Sequence, residues 1–193
     1  MKLKTKKRGD ASEALVAQFL LMSQIYCGIF SISFFNGENL QEYPASLLKV
    51  DNKFYWYVTN VLVGAPAGAF GKTYEHDFIL VPAIASEEAE VIADGPPKQF
   101  MSRAEMAKAQ VIVGEVKTKL EPWQTSGRQF LTNLQWSKMG MRILYVSVEE
   151  TKTELVFTAQ RNLATVQGQT SLMWYTPFDD VYNTIAKIGR TIY

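Results

Sequence analysis

Val111-Ile112-Val113-Gly114-Glu115-Val116-Lys117-Thr118 is the stretch of this chain that decides its fold. Three β-branched residues open it, which favours a strand. Successive side chains of a strand alternate faces. Val116 is therefore expected to stay in the core, while Glu115 and Lys117 project together from the other side at the strand end. An E-x-K triplet is common and reads equally well as a surface ion pair. It gains interest because a second carboxylate, Asp77, opens another apolar run, Phe78-Ile79-Leu80-Val81.

Working outward, His76 to Pro82 reads as a strand, and Lys53 to Val63, rich in Tyr, Trp, Phe and Val, reads as the strand before it. The glycine-rich segment 64–71 between them is expected to be a loop. Ile29 to Phe35 is a further strand, closed by the turn signal Asn36-Gly37. Before it, Leu15, Phe19, Met22 and Tyr26 recur at helical spacing, and Asp10 has a glutamate three residues on. These predict a capped helix over Asp10–Tyr26, ended by Gly28.

On the other side, Ser86–Gln110 reads as a polar insertion with a short helix over Ser102–Ala109. Pro122 suits the first turn of a helix reaching Lys138, and Gly140 stops it before a strand over Met141–Val148. Thr153–Ala159 and Ser171–Tyr175 look like further strands, and Phe178–Ile188 like a closing helix. The order, α-β-β-β-β-α-β with insertions, predicts an α/β fold in which a central mixed β-sheet is flanked by helices.

The chain has 193 residues, enough for one domain with a real core. No apolar stretch approaches the roughly 18 residues that would span a bilayer, so no membrane is expected. A single cysteine, Cys27, excludes an intramolecular disulfide framework and a cysteine-rich zinc site. A reducing, cytoplasmic setting is the simplest expectation. Net charge is +1, but Lys2, Lys4, Lys6, Lys7 and Arg8 place five positive charges in the first eight residues and leave −4 for the remainder. Residues 1–9 are read as a flexible basic arm before a single domain over 10–193. Such an arm suits either a phosphate backbone or plain solubility.

Gly71-Lys72-Thr73 after a glycine-rich loop suggests a phosphate-binding P-loop. That motif needs glycine five positions before the Gly-Lys pair, where Pro66 stands, and a helix afterwards, where a strand is predicted. Asp77, Glu115 and Lys117 are the better candidates. Mg²⁺ takes oxygen ligands from one or two carboxylates plus waters and phosphate. Two carboxylates on neighbouring strands supply these, and the Val116 backbone carbonyl can add another. The plain alternative is a surface Glu–Lys pair and a strand-capping aspartate.

Lys7-Arg8-Gly9-Asp10-Ala11-Ser12-Glu13, then His76-Asp77-Phe78-Ile79-Leu80-Val81, then Val113-Gly114-Glu115-Val116-Lys117-Thr118, resembles the PD-(D/E)XK nuclease superfamily. Gln129-Phe130-Leu131, Gly140 and Ile143-Leu144-Tyr145-Val146 are similar to the helix and strand that follow there. Archaeal Holliday-junction resolvases and group I intron homing endonucleases are the most similar members. The resemblance implies a restriction-endonuclease-like core and a metal-dependent DNA endonuclease that hydrolyses phosphodiesters with a Mg²⁺-activated water, Mn²⁺ substituting. By position it implies Asp77 and Glu115 as metal ligands, with the Val116 carbonyl, and Lys117 as the catalytic lysine. It further implies Glu13 as an auxiliary ligand and Gln129 as a group near the scissile phosphate. Capping and solvated-helix roles stand beside the last two. DNA is the implied partner, and homodimeric action is compatible with it. A catalytically inactive nuclease-fold protein that binds nucleic acid or assembles is the alternative. The long 78–114 interval departs from the compact resolvases, which makes Asp94 the substitute for Asp77. His76, the only histidine, reads as an ordinary strand residue, and the aromatic cluster 55–57 as core rather than a stacking platform for bases.

Overall fold

A computed structural model describes residues 2–21, 23–26, 30–50, 52–64, 73–84, 87–117, 141–150, 154–161, 163–166, 169–172 and 190–192. Of the predicted loop 64–71, Gly64 ends a strand and residues 65–71 lie outside these residues, as do the predicted helices over 122–138 and 178–188 and Gln129. The fold is mixed α/β. Helix α1 (Lys2–Leu21) precedes six strands: β1 (Gln24–Tyr26), β2 (Ser31–Phe35), β3 (Leu40–Pro44), β4 (Ser46–Val50), β5 (Lys53–Gly64) and β6 (Thr73–Pro82). Helix α2 (Glu88–Asp94), strand β7 (Gln99–Phe100) and helix α3 (Arg103–Lys108) fill the interval before β8 (Ile112–Lys117). The remaining strands are β9 (Arg142–Glu150), β10 (Glu154–Arg161), β11 (Leu163–Val166), β12 (Gln169–Leu172) and β13 (Arg190–Ile192).

Eight of these strands form one sheet in the order β1-β4-β5-β6-β8-β9-β10-β13. Its pairs are antiparallel except β8 with β9, which run parallel from Ile112↔Arg142 to Lys117↔Ser147. Parallel neighbours need a crossover connection. A smaller sheet, β3-β2-β7, packs with α2 and α3 on one face of the large sheet. The core lies between these layers, with Ile32 and Phe34 meeting Trp56, Val81, Val113 and Ile143. Helix α1 covers the opposite face at β8 and β9. Central strand β8 is thus enclosed on both sides, and every residue from Val111 to Val116 is buried.

Local chemistry accounts for the turns. The Asn36 side-chain oxygen accepts from the backbone N–H groups of Glu38 and Asn39 at 2.9 and 3.0 Å, and Gly37 takes φ 100°, joining β2 to β3 in a tight hairpin. Ser102 caps α3 by accepting from the Glu105 N–H at 3.3 Å, while Glu105 accepts from the Met101 N–H at 2.8 Å.

Several expectations are corrected. The first helix spans Lys2–Leu21 rather than Asp10–Tyr26, so residues 2–9 are its opening turns and Asp10 and Glu13 lie in mid-helix instead of forming a cap. Ser12, Val16 and Leu20, one turn apart, form its buried stripe, while Leu15 is only half-buried. The helix stops early because Gln24–Tyr26 pairs with Leu47 and Leu48 of β4, and tertiary pairing overrides helical periodicity there. Six strands rather than three precede the 87–111 interval, since 40–50 contributes two that were not anticipated and Gln24–Tyr26 a third. Tyr55, Trp56 and Tyr57 are buried, as read. Thr73 begins β6, so no helix follows Gly71-Lys72-Thr73.

Candidate functional site

The β5–β6 hairpin carries a local reversal of its faces. Trp56 and Val58 of β5 belong to the core, and so do Val61 and Val63, although strict alternation would turn 61 and 63 outward. The change occurs at Asn60, which adopts φ 50°. Asparagine tolerates this left-handed region better than most residues. Opposite it, Thr59 pairs with Phe78 and Val61 with His76, and the ladder skips the position of Asn60 and Asp77 between them. Asp77 and Phe78 consequently lie together on the α1 side, while His76 turns to the core and is fully buried.

The ladder between β6 and β8 ends at the same place. It runs from Leu80↔Ile112 to Phe78↔Gly114 and goes no further. One alternate position on, the Val116 N–H donates to Asp77 Oδ2 at 2.5 Å instead of to a strand carbonyl. N–H and C=O of one strand residue point to the same neighbouring strand. The Val116 carbonyl therefore opens into the gap where β6 and β8 part.

Gly114 makes the approach of the two strands possible. A Cβ built there would lie 2.1 Å from Phe78 Cζ, so the Phe78 ring occupies the space of the missing side chain. That ring sits 6.0 Å from the Tyr57 ring.

A cavity of about 420 Å³ opens between α1 and this part of the sheet. Glu13 from α1, Asp77 from β6 and Val116 from β8 line it, together with Tyr57, Thr59 and Asn60. Glu13 reaches it because it follows the buried Ser12 on the helix and is half-buried at the edge of the stripe. Burial, and secondly the Asp77 charge, push the Tyr57 phenol well above the ordinary tyrosine range, so it stays protonated beside the carboxylates.

Glu115 goes elsewhere. It shares alternation with Val111 and Val113, which face the core, and it is 2% exposed. His76 Nδ1 donates to Glu115 Oε1 at 2.9 Å, and the Tyr74 ring lies 4.9 Å from the imidazole. The projection of Glu115 from an open strand face is thus corrected. Because β8 is covered on both sides, its carboxylate enters the core layer and is held by the imidazole.

Of the anticipated residues, the structure brings together Glu13, Asp77 and the Val116 backbone, and sets Glu115 on the other face. Asp94 ends α2 and lines a separate cavity of about 250 Å³ with Trp56 and Pro96. It therefore does not substitute for Asp77. Lys117 ends β8, and its side chain, like Gln129, lies outside the described part of the structure. Among the described residues, no group of three or more His, Cys, Asp or Glu side chains is placed to hold a metal ion. Two carboxylates and a carbonyl nevertheless fit Mg²⁺, which keeps several waters and uses few protein ligands.

Sequence reading missed His76 as the partner of Glu115, and Tyr57, Thr59 and Asn60 as cavity walls. An asparagine inside a β-branched run was the available signal for the reversal. No family model matches the chain, and neither a curated protein nor a solved structure does. No helix among the described residues is long and apolar enough to cross a membrane.

Proposed function

We propose that this protein is a Mg²⁺-dependent DNA endonuclease of the restriction-endonuclease-like kind, with its reaction centre in the cavity shared by Glu13 and Asp77. The observation that carries this reading is the Asp77 carboxylate anchored on the Val116 N–H at the point where β6 and β8 separate, facing a glutamate from α1. Chain order supports it as well: a helix, the antiparallel run β5–β6–β8 ending in Glu115-Val116-Lys117, then β9 parallel to β8.

Glu13, Asp77 and the Val116 carbonyl are the groups that would hold Mg²⁺, which when bound acidifies a coordinated water and neutralises charge on the leaving phosphate oxygen. The Val116 N–H fixes the orientation of Asp77. Tyr57, kept protonated, offers a donor beside the carboxylates. Lys117, at the end of the neighbouring strand, is the candidate to orient the attacking water or offset charge on the phosphate. Glu115 acts in this reading through His76, as a support for the strand end.

One observation favours a second reading, a nuclease-fold protein that binds nucleic acid without cutting it. The Glu115 carboxylate is buried against His76 rather than turned to the cavity. Incubation of purified protein with plasmid, single-stranded and branched DNA, with and without Mg²⁺, separates the two. Asp77→Asn and Glu13→Gln are compared with wild type, and a loss of at least about 100-fold is expected for Asp77→Asn, as for removal of a transition-state electrostatic group. If wild type cuts no DNA, or if Asp77→Asn cuts as fast as wild type, the nuclease reading is wrong. Saturable Mn²⁺ binding by calorimetry, lost in the double variant, is the independent check.

A further inference from the structure

We infer that the Glu13–Asp77 cavity takes an unpaired nucleotide whose base edge is read by Thr59 and Asn60. The substrate of the proposed nuclease site is then DNA that is single-stranded where it is cut, and this assignment rests on the nuclease reading. Two adjacent strand residues ordinarily point to opposite faces, yet here both line the same cavity. Thr59 shares alternation with Tyr57, which also lines it. The left-handed backbone of Asn60, at φ 50°, brings the next side chain to the same opening before Val61 enters the core. Both polar side chains are exposed, so packing does not dictate them.

Their chemistry selects the ligand. A threonine hydroxyl donates once and also accepts, and a carboxamide offers two N–H donors and a carbonyl acceptor. Side by side they form a mixed edge. A phosphate only accepts and would use half of it, whereas a nucleobase edge carries donors and acceptors together, and asparagine pairs with adenine in bidentate fashion. Glu13 and Asp77 on the neighbouring walls also oppose a bare anion. Val16, Phe78 and Val116, all buried, give the cavity an apolar floor, suited to the flat face that every base possesses.

Size and shape point the same way. The cavity holds about 420 Å³ between α1 and the sheet, near the lower end of the range of about 300–1,000 Å³ for small-ligand sites. One nucleotide suits that space, and a base pair with two backbones does not. Ala14 and Ala17 are the α1 residues beside Glu13 at this wall, and their short side chains keep the gap open. A duplex, moreover, holds each pairing edge against the other strand. An unpaired base exposes that edge and enters without the cost of being unstacked and unpaired.

The test is fluorescence anisotropy with a labelled single strand, the same sequence as a blunt duplex, and that duplex carrying one unpaired adenine. Asp77→Asn protein in Mg²⁺ is the background, because asparagine keeps an acceptor for the Val116 N–H and binding is read without cleavage. The single strand and the bulged duplex bind at least about 10-fold tighter than the blunt duplex, which must first open a pair. Adding Thr59→Val and Asn60→Gly keeps the side-chain shape at 59 and the left-handed backbone at 60 while removing both polar groups. Single-strand affinity then falls about 10-fold and the preference shrinks to within about 3-fold. Ala14→Leu narrows the cavity from the helix, at an exposed position where leucine suits a helix, and causes the same loss with Thr59 and Asn60 intact. A blunt duplex bound as tightly as the single strand overturns the inference, as does a preference left unchanged by the Thr59/Asn60 variant or by Ala14→Leu. Wild-type protein that cuts duplex as fast as single strand counts against the substrate assignment alone. Absence of Mg²⁺-dependent cutting, with the binding preferences as expected, counts against the nuclease reading alone.

Discussion

The two faces of β8 treat their carboxylates differently. On the α1 side, Asp77 meets the Val116 N–H at the wall of an open cavity and is half-buried. On the core side, Glu115 is enclosed and held by a fully buried imidazole. Residues 77 and 115 would face each other if the β6–β8 ladder continued one step, yet one carboxylate lines an open cavity and the other lies in the core. What separates them is the reversal at Asn60, which rolls Asp77 to the α1 side without moving Glu115. A charge in an open cavity can change partners at small cost, whereas a buried one is committed to its partner.

The comparison is broken most strongly by Glu115→Ala. Removing the buried carboxylate takes the acceptor from the imidazole N–H and leaves a cavity in a packed layer, so about 3–5 kcal/mol of stability should be lost in urea unfolding. Glu115→Gln, which keeps an acceptor for His76 Nδ1, should lose clearly less. An alanine variant as stable as wild type would show that the pair is not structural. Asp77→Ala should lose less than Glu115→Ala, about 1.5–3 kcal/mol for a hydrogen bond to a charged acceptor, while removing cleavage altogether. If the stability order of these two alanine variants is reversed, the assignment of roles to the two faces is wrong.

Gly114→Ala sharpens the contrast from the cavity side. The new Cβ collides with the Phe78 ring, and overpacking should remove about 1–3 kcal/mol, visible as a lowered melting temperature. Additional Phe78→Leu should restore part of it. The smallest effect is alkaline. The folded Tyr57 phenol has its pKa raised above the unfolded value of 10.0. The unfolded state therefore releases its proton first, and the contribution of Tyr57 is complete below about pH 10 and is lost as pH rises from there toward the folded value. The slope is about 1.4 kcal/mol per pH unit for one group. Tyr57→Phe should flatten the alkaline part of the stability curve, and a variant that follows the wild-type curve would remove Tyr57 from this account.

The aromatic and β-branched runs at 53–63, 76–82, 111–118 and 141–148 were legible as strands, because side chains of that kind suit a pleated, buried surface whatever their partners. Glu13 and Asp77 were legible as candidates because their order along the chain is a local property. Other features were not. The helix end at Leu21 depends on the pairing of Gln24–Tyr26 with β4, and the two strands of 40–50 depend on neighbours that lie on either side of them in space. The reversal at Asn60 involves one backbone angle at one residue, too small a signal for any periodicity to carry.

By itself, then, the sequence determined that the aromatic and β-branched runs would be strands, where the hairpin at Asn36-Gly37 turns, and where basic charge accumulates, since each follows from propensity or from charges adjacent in the chain. Tertiary structure alone decided which face each carboxylate occupies. Alternation only says that Glu115 and Val116 face opposite ways. The α1 layer and the β3-β2-β7 sheet decide which way is the cavity and which is the core, and burial then gives Glu115 its histidine and leaves Asp77 to Glu13.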